Sequence, residues 1–129
     1  MTKAMTDFKE AMPDQPIQVV RENNVRRMNH DGTVPGDIVK LEKGDTVPAD
    51  IRIISANDCK FQTKWVSGSS ILMTCDPSKS KQSLQDSPNV ALLGYKCVDG
   101  NCLGVVIATG KATVIAEMIR NKQWPPSMN

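Results

Sequence analysis

Short apolar runs separated by Gly, Pro and Asx turns, together with an amphipathic stripe near each end and no internal repeat, predict a mainly β domain with a short helix at either terminus. A sandwich or distorted jelly roll, equivalently a double-stranded β-helix, is the architecture that this pattern fits. The chain has 129 residues, enough for one compact domain with a real core and too few for two. We divide it into an N-terminal helix over 1–13, a β core over 16–110 and a C-terminal helix over 111–122.

Each element has a local reason. Ala4, Met5, Phe8, Ala11 and Met12 recur at steps of three and four, the stripe of an amphipathic helix, and Pro13 ends it. Ile17, Val19 and Val20, then Glu22-Asn23-Asn24, then Val25 to Met28 predict a hairpin. The runs 38–41 and 51–56 predict two strands joined through a turn at Lys43-Gly44-Asp45. Between Asp76 and Pro88 the sequence turns to Ser, Lys, Gln, Asp and Pro with a single Leu. That composition buries too little apolar surface to offset its ordering entropy, so 76–88 is expected to be an exposed, mobile loop. Order should return at Val90 to Leu93 and Tyr95 to Val98, followed by a hairpin turn at Asp99-Gly100-Asn101 and a strand over 102–110. Ala112, Ile115, Ala116, Met118 and Ile119 then fall at helical spacing, and Pro125-Pro126 stops the pattern.

Composition narrows the function classes. Aromatic residues make up 4% of the chain, too few to build stacking platforms for bases or sugars. The net charge of +2 comes from 16 basic and 14 acidic residues spread along the sequence, so no funnel for a phosphate backbone is expected and no nucleic acid is among the expected partners. Arg26-Arg27 reads as a solvated strand edge. No apolar run approaches the roughly 18 residues of a bilayer span, and the opening MTKAMTDFKE lacks the apolar core of a signal peptide. This stretch of chain is therefore expected to be soluble. Cys59, Cys75, Cys97 and Cys102 form neither a CxxC pair nor a zinc pattern with histidine, which favours free thiols in a reducing compartment.

The isolated chemical groups are modest. His30, the single histidine, falls in a turn beside Asp31-Gly32 and reads as an exposed loop residue rather than a metal ligand or catalytic base. Cys97 and Cys102 flank the Asp-Gly turn, where a disulfide is conceivable, but spacing alone does not supply its geometry. Asp37, Asp45 and Asp50 sit beside Gly or Pro and are expected to cap turns by accepting backbone N–H bonds rather than to form a metal cluster. Ser67-Gly68-Ser69-Ser70 offers hydroxyls without a neighbouring acid, base or thiol, so taken alone it is an ordinary turn. On these grounds no catalytic residue, cofactor site or metal site is expected.

Three longer blocks are far more specific: "AMTDFKEAMPDQPIQVVRE" (4–22), "VPGDIVKLEKGDTVPADIRIISA" (34–56) and "NVALLGYKCVDGNCLGVVIATGKATVIAEM" (89–118). Together they resemble the actuator domain of P-type cation ATPases, with the nearest likeness to the α subunits of the sodium/potassium and proton/potassium pumps. The resemblance spans nearly the whole chain. It implies a cytosolic distorted jelly roll whose helices lead toward membrane segments of a longer parent, with the plasma membrane as the expected location. It further implies contact with the phosphorylation and nucleotide-binding domains of that parent, a possible β subunit, and ATP and magnesium as requirements of the parent rather than of this domain.

The family carries a Thr-Gly-Glu-Ser loop that docks on the phosphorylated domain. Counting without gaps from Cys59-Lys60 to Asn89-Val90-Ala91 aligns Ser67-Gly68-Ser69-Ser70 with that loop. Gly68 and Ser70 match, Ser67 replaces threonine, and Ser69 stands where the family's glutamate activates the hydrolytic water. Gln62-Thr63-Lys64-Trp65 replaces the family's Asp-Asn-Ser-Ser, setting a large ring and a positive charge beside the loop. A shifted register would put Thr74-Cys75-Asp76 on the motif and recover a carboxylate, at the cost of an insertion, a deletion and the glycine. The resemblance thus implies an actuator domain whose dephosphorylation loop has degenerated, in a non-pumping or regulatory relative. The competing readings are a working pump in which another group supplies the lost function, and an independent jelly-roll binding module.

Overall fold

The computed structural model describes Phe8, Met12 and residues 16–126, with the His30 side chain excepted. The helix expected over 1–13 therefore lies almost wholly outside the described residues. Seven strands make one antiparallel sheet: β1 (Ile17–Arg21), β2 (Asn24–Met28), β3 (Ile38–Glu42), β4 (Asp50–Gln62), β5 (Met73–Thr74), β6 (Val90–Ala91) and β7 (Lys96–Ala108). Their order is β2-β1-β3-β7-β4-β5, with β6 added alongside β4. Among residues 16–126 two short α-helices, α1 (Lys64–Ser67) and α2 (Val114–Arg120), and three 3-10 turns accompany the sheet. The mainly β class with short helices is as the sequence predicts.

The β1–β2 hairpin closes on Glu22-Asn23, both with positive φ (51° and 64°), the two-residue turn whose twist matches its strands. β2 is an edge strand, and Arg26 and Arg27 are exposed on it as expected. The two central strands, β4 and β7, run 13 residues each. Ile51 and Ile53 of β4 point into the core while Arg52 and Ile54 point out, the period-two alternation of a half-buried strand. Val39, Leu41, Phe61, Leu92, Tyr95 and Ile115 fill the interior.

Two expectations are corrected. Asp99-Gly100-Asn101 is not a hairpin turn, because β7 passes straight through it, paired with Asn57 and Lys60 of β4 across irregular register. Gly100 has φ +66°, and a Cβ there would lie 2.2 Å from the Asn57 carbonyl oxygen. The glycine is thus required by close strand approach at a bulge, and tertiary pairing overrides the local Asp-Gly turn signal. The second concerns the C-terminal helix. Gly110–Ala112 forms a separate 3-10 turn and Thr113 is extended (φ −73°, ψ 157°), so α2 begins only at Val114, with the Thr113 hydroxyl accepting from Ala116 N–H as its cap. Ile115, Ala116, Met118 and Ile119 form its buried face, as their spacing predicts.

Residues 77–86 are exposed, in keeping with their composition. The stretch is nevertheless tethered. Ser87 Oγ accepts from Lys81 N–H (2.8 Å) and donates to Asn89 Oδ1 (2.8 Å), and a 3-10 turn forms at Leu84–Asp86.

Candidate functional site

β4 runs into α1, and α1 into the hydroxyl loop, so the position of 67–70 is set by how α1 is held. Thr63 precedes the helix, and its carbonyl accepts the N–H groups of Val66 (2.9 Å) and Ser67 (2.8 Å). Gly68 ends the turn in the left-handed region (φ +78°), donating its N–H to the Lys64 carbonyl at 2.8 Å, the αL cap that glycine adopts without Cβ strain.

The hydroxyls of the loop mostly serve the loop itself. Ser67 Oγ lies 2.9 Å from Thr63 Oγ1, donates to the Thr63 carbonyl (3.1 Å) and accepts the Ser69 N–H (3.1 Å). That uses its one donor and both acceptor directions. Ser69 is exposed and its Oγ accepts the Ile71 N–H at 3.2 Å. Ser70 is exposed as well. The next two residues carry a feature that sequence reasoning missed: Ile71 and Leu72 stand 78% and 45% exposed, so an apolar pair accompanies the serines at the surface.

Trp65 does not project beside the loop as its sequence position suggests. It is half-buried, stacked on Phe8 with ring centroids 4.4 Å apart and an interplanar angle of 11°. Trp124 meets Phe8 edge-on at 5.3 Å and donates its Nε1–H to the Trp65 carbonyl at 2.9 Å. Lys64 is the exposed member of the pair. No sequence pattern announces this cluster, because its three rings come from widely separated positions.

Asp37 and Asp45 cap their own turns, as expected, whereas Asp50 accepts backbone N–H groups distant in sequence. Asp37 receives Arg21 through Nε (2.9 Å) and Nη2 (2.6 Å), as well as the Val34 N–H (2.9 Å). The guanidinium hydrogen bonds hold the Asp37 carboxyl below the ordinary carboxylate range against the opposing effect of burial. Asp45 accepts the Glu42 N–H (2.9 Å). Asp50, 1% exposed, accepts from Leu93 N–H (2.9 Å) and Val114 N–H (2.7 Å), and burial pushes its pKa up. Asp76, the carboxylate of the shifted register, is engaged in its own turn by the Ser78 N–H (2.9 Å) and hydroxyl (2.6 Å). His30 opens a 3-10 turn with Asp31 and Gly32, and its side chain lies outside the described residues. Among the described residues no three His, Cys, Asp or Glu side chains are placed to hold a metal ion. A cleft of about 160 Å³ lined by Phe8, Met12, Thr33, Pro48 and Leu93 is smaller than the pockets that take small-molecule ligands.

An antiparallel sheet that leads through a short helix into an exposed, hydroxyl-bearing loop defines the class of protein as a mainly β domain. The particular family follows from comparison: residues 11–123 match the P-type ATPase actuator domain, and the chain belongs to that family. It is 38% identical over 117 residues to the sodium/potassium-transporting ATPase subunit alpha-3 of Gallus gallus, and 36% identical over the same length to subunit alpha-1 of Catostomus commersonii. Each alignment covers 91% of this chain but only 12% and 11% of those proteins. The crystal structure of a zinc-transporting PIB-type ATPase shares the fold, with a TM-score of 0.65 at 17% identity over 96% of this chain and 20% of that one.

Proposed function

We propose that this domain is the cytosolic actuator of a longer membrane chain related to the sodium/potassium pump α subunits, and that its loop no longer supports rapid phosphoenzyme hydrolysis. In this reading the domain couples the phosphorylation state of the parent to movement of its membrane helices, by docking the 67–70 loop on the phosphorylated domain. The observation that carries the second half is Ser69. A serine hydroxyl can hold a water but does not accept its proton near neutral pH, and losing a general base removes on the order of 10²- to 10⁴-fold of rate. The Ser69 hydroxyl, exposed and bonded to Ile71 within its own turn, offers no replacement base.

The partners are then the phosphorylation and nucleotide-binding domains of the same parent, its membrane helices and a β subunit, with the plasma membrane as location. Among the described residues no helix is long and apolar enough to cross a membrane. In this reading ATP and magnesium are requirements of the parent rather than of this domain. On the same reading the domain is not an enzyme by itself, and the parent is a non-pumping or regulatory relative.

The test is Ser69→Glu in the full-length parent, followed by decay of the phosphorylated intermediate after a chase. Decay should accelerate by about 10²- to 10⁴-fold. Unchanged decay rejects Ser69 as the missing position. Fast decay already present in the parent without the substitution favours the working-pump reading instead.

A further inference from the structure

The four cysteines, distant in sequence, meet on one buried face of the sheet. Cys59 lies on β4, Cys97 and Cys102 on the neighbouring β7, and Cys75 just after β5 on the other side, where its N–H donates to the Cys59 carbonyl at 3.0 Å. All four are free thiols and none is more than 9% exposed. Cys59 Sγ and Cys97 Sγ are 3.8 Å apart. Register irregularities on both strands between Asn57 and Phe61 bring the two residues diagonally together.

We propose that Cys59 and Cys97 form an oxidative modification site, closing to a disulfide when the protein meets hydrogen peroxide. A disulfide has an S–S length of about 2.05 Å, so the sulfurs must approach by roughly 1.8 Å, within reach of side-chain rotation between adjacent strands.

Cys59, on the strand between β7 and β5 and 3.8 Å from Cys97, takes the first step in this proposal. The thiols of Cys102, Cys75 and Cys97 surround its sulfur, and their S–H groups favour its thiolate, drawing its pKa down against the effect of burial. The other three thiols are pushed up, chiefly by that same thiolate. The Cys59 thiolate attacks one peroxide oxygen; the S–O bond forms, the O–O bond breaks, and hydroxide leaves with the Cys59 proton as water. Cys97 Sγ then attacks the sulfenic sulfur of Cys59; the S–S bond forms, the S–O bond breaks, and hydroxide leaves with the Cys97 proton as a second water. Two thiols lose two electrons and one peroxide becomes two waters. Access is from the β5 side, since a two-residue edge strand opens at little cost and Cys75 already stands at the rim.

The experiment treats the full chain with hydrogen peroxide, alkylates the remaining thiols, digests without reduction and maps the peptides by mass spectrometry. The expected product is a Cys59–Cys97 linked peptide lighter by two hydrogens than its separate parts, with Cys75 and Cys102 alkylated, and it should be lost when the protein is unfolded before oxidation. Cys97→Ala should lose the link and leave a Cys59 sulfenic acid that a 1,3-dione probe captures, whereas Cys102→Ala should retain the link. Should Cys97→Ala not fold, the map of the unsubstituted protein decides. Links confined to other pairs or formed only between chains, or Cys59 recovered fully alkylated, would overturn the proposal.

Discussion

Asp37 and Asp50 are both buried carboxylates, 4% and 1% exposed, yet their proton affinities move in opposite directions. Arg21 faces Asp37 and favours its charged form, so its folded pKa is depressed and its contribution to stability is present above the unfolded value, being lost as pH falls through the folded one. Asp50 has two backbone N–H donors and no cation, and burial dominates. Its folded pKa is raised, so the stability it contributes is complete at low pH and is lost as pH rises through that value. Asp37→Asn is therefore expected to lower stability at neutral pH, and the gap from the parent should close as pH falls below the ordinary carboxylate range. Urea denaturation of both proteins between neutral and acidic pH checks this; a gap that widens on acidification contradicts the assignment. That Asp37 caps its own turn, accepting the Val34 N–H, was legible from the Gly beside it. Arg21 as the partner of Asp37 was not, nor was Asp50's reach to Val114, because hydrogen bonds spanning 16 and 64 residues leave no local trace.

Among the elements, the hairpin at Glu22-Asn23, β3 and the first half of β4 were legible because their apolar alternation is undiluted. The second half of β4, Asn57 to Gln62, carries mostly polar side chains and falls outside the predicted run 51–56, yet Asn57, Lys60, Phe61 and Gln62 pair with β7 across irregular register. Only Cys59 and Phe61 face inward there. The same pairing explains why Asp-Gly misleads: the turn signal is local, whereas the demand on Gly100 comes from the Asn57 and Asp58 carbonyls across the sheet. Gly100→Ala puts a methyl 2.2 Å and 2.3 Å from those oxygens, and neither is a side chain that can rotate away. Strand separation at the bulge is the only relief, and the substitution should cost about 3 kcal/mol or more. Thermal or chemical denaturation measures it. A near-neutral Gly100→Ala would mean that β4 and β7 are not in this register, and the diagonal approach of Cys59 to Cys97 would fall with it.

Across the whole molecule, counting residues from Cys59 to Asn89 sets the family loop at 67–70 as an expectation, whereas what holds that stretch in place leaves no sequence signal. Phe8, Trp65 and Trp124 tie the beginning, middle and end of the described chain together directly beneath α1, so a displacement of either end is felt at the helix that carries Ser67 and Gly68. Two terms hold the cluster, ring contact and the Trp124 Nε1–H bond to the Trp65 carbonyl, and substitution separates them. Trp124→Phe keeps a ring and removes the hydrogen bond, which should cost about 1 kcal/mol. Trp124→Ala also removes the edge-to-face packing on Phe8 and Trp65. It should cost about 2–4 kcal/mol, somewhat under the figure for a fully buried ring because Trp124 is only half-buried. Denaturation midpoints give both costs, and the emission of Trp65, the remaining indole, should shift to the red in Trp124→Ala as its environment becomes wetter. Equal costs for the two variants would assign the clasp to the hydrogen bond alone, and an unshifted Trp65 emission would mean that the end of the chain does not reach the loop.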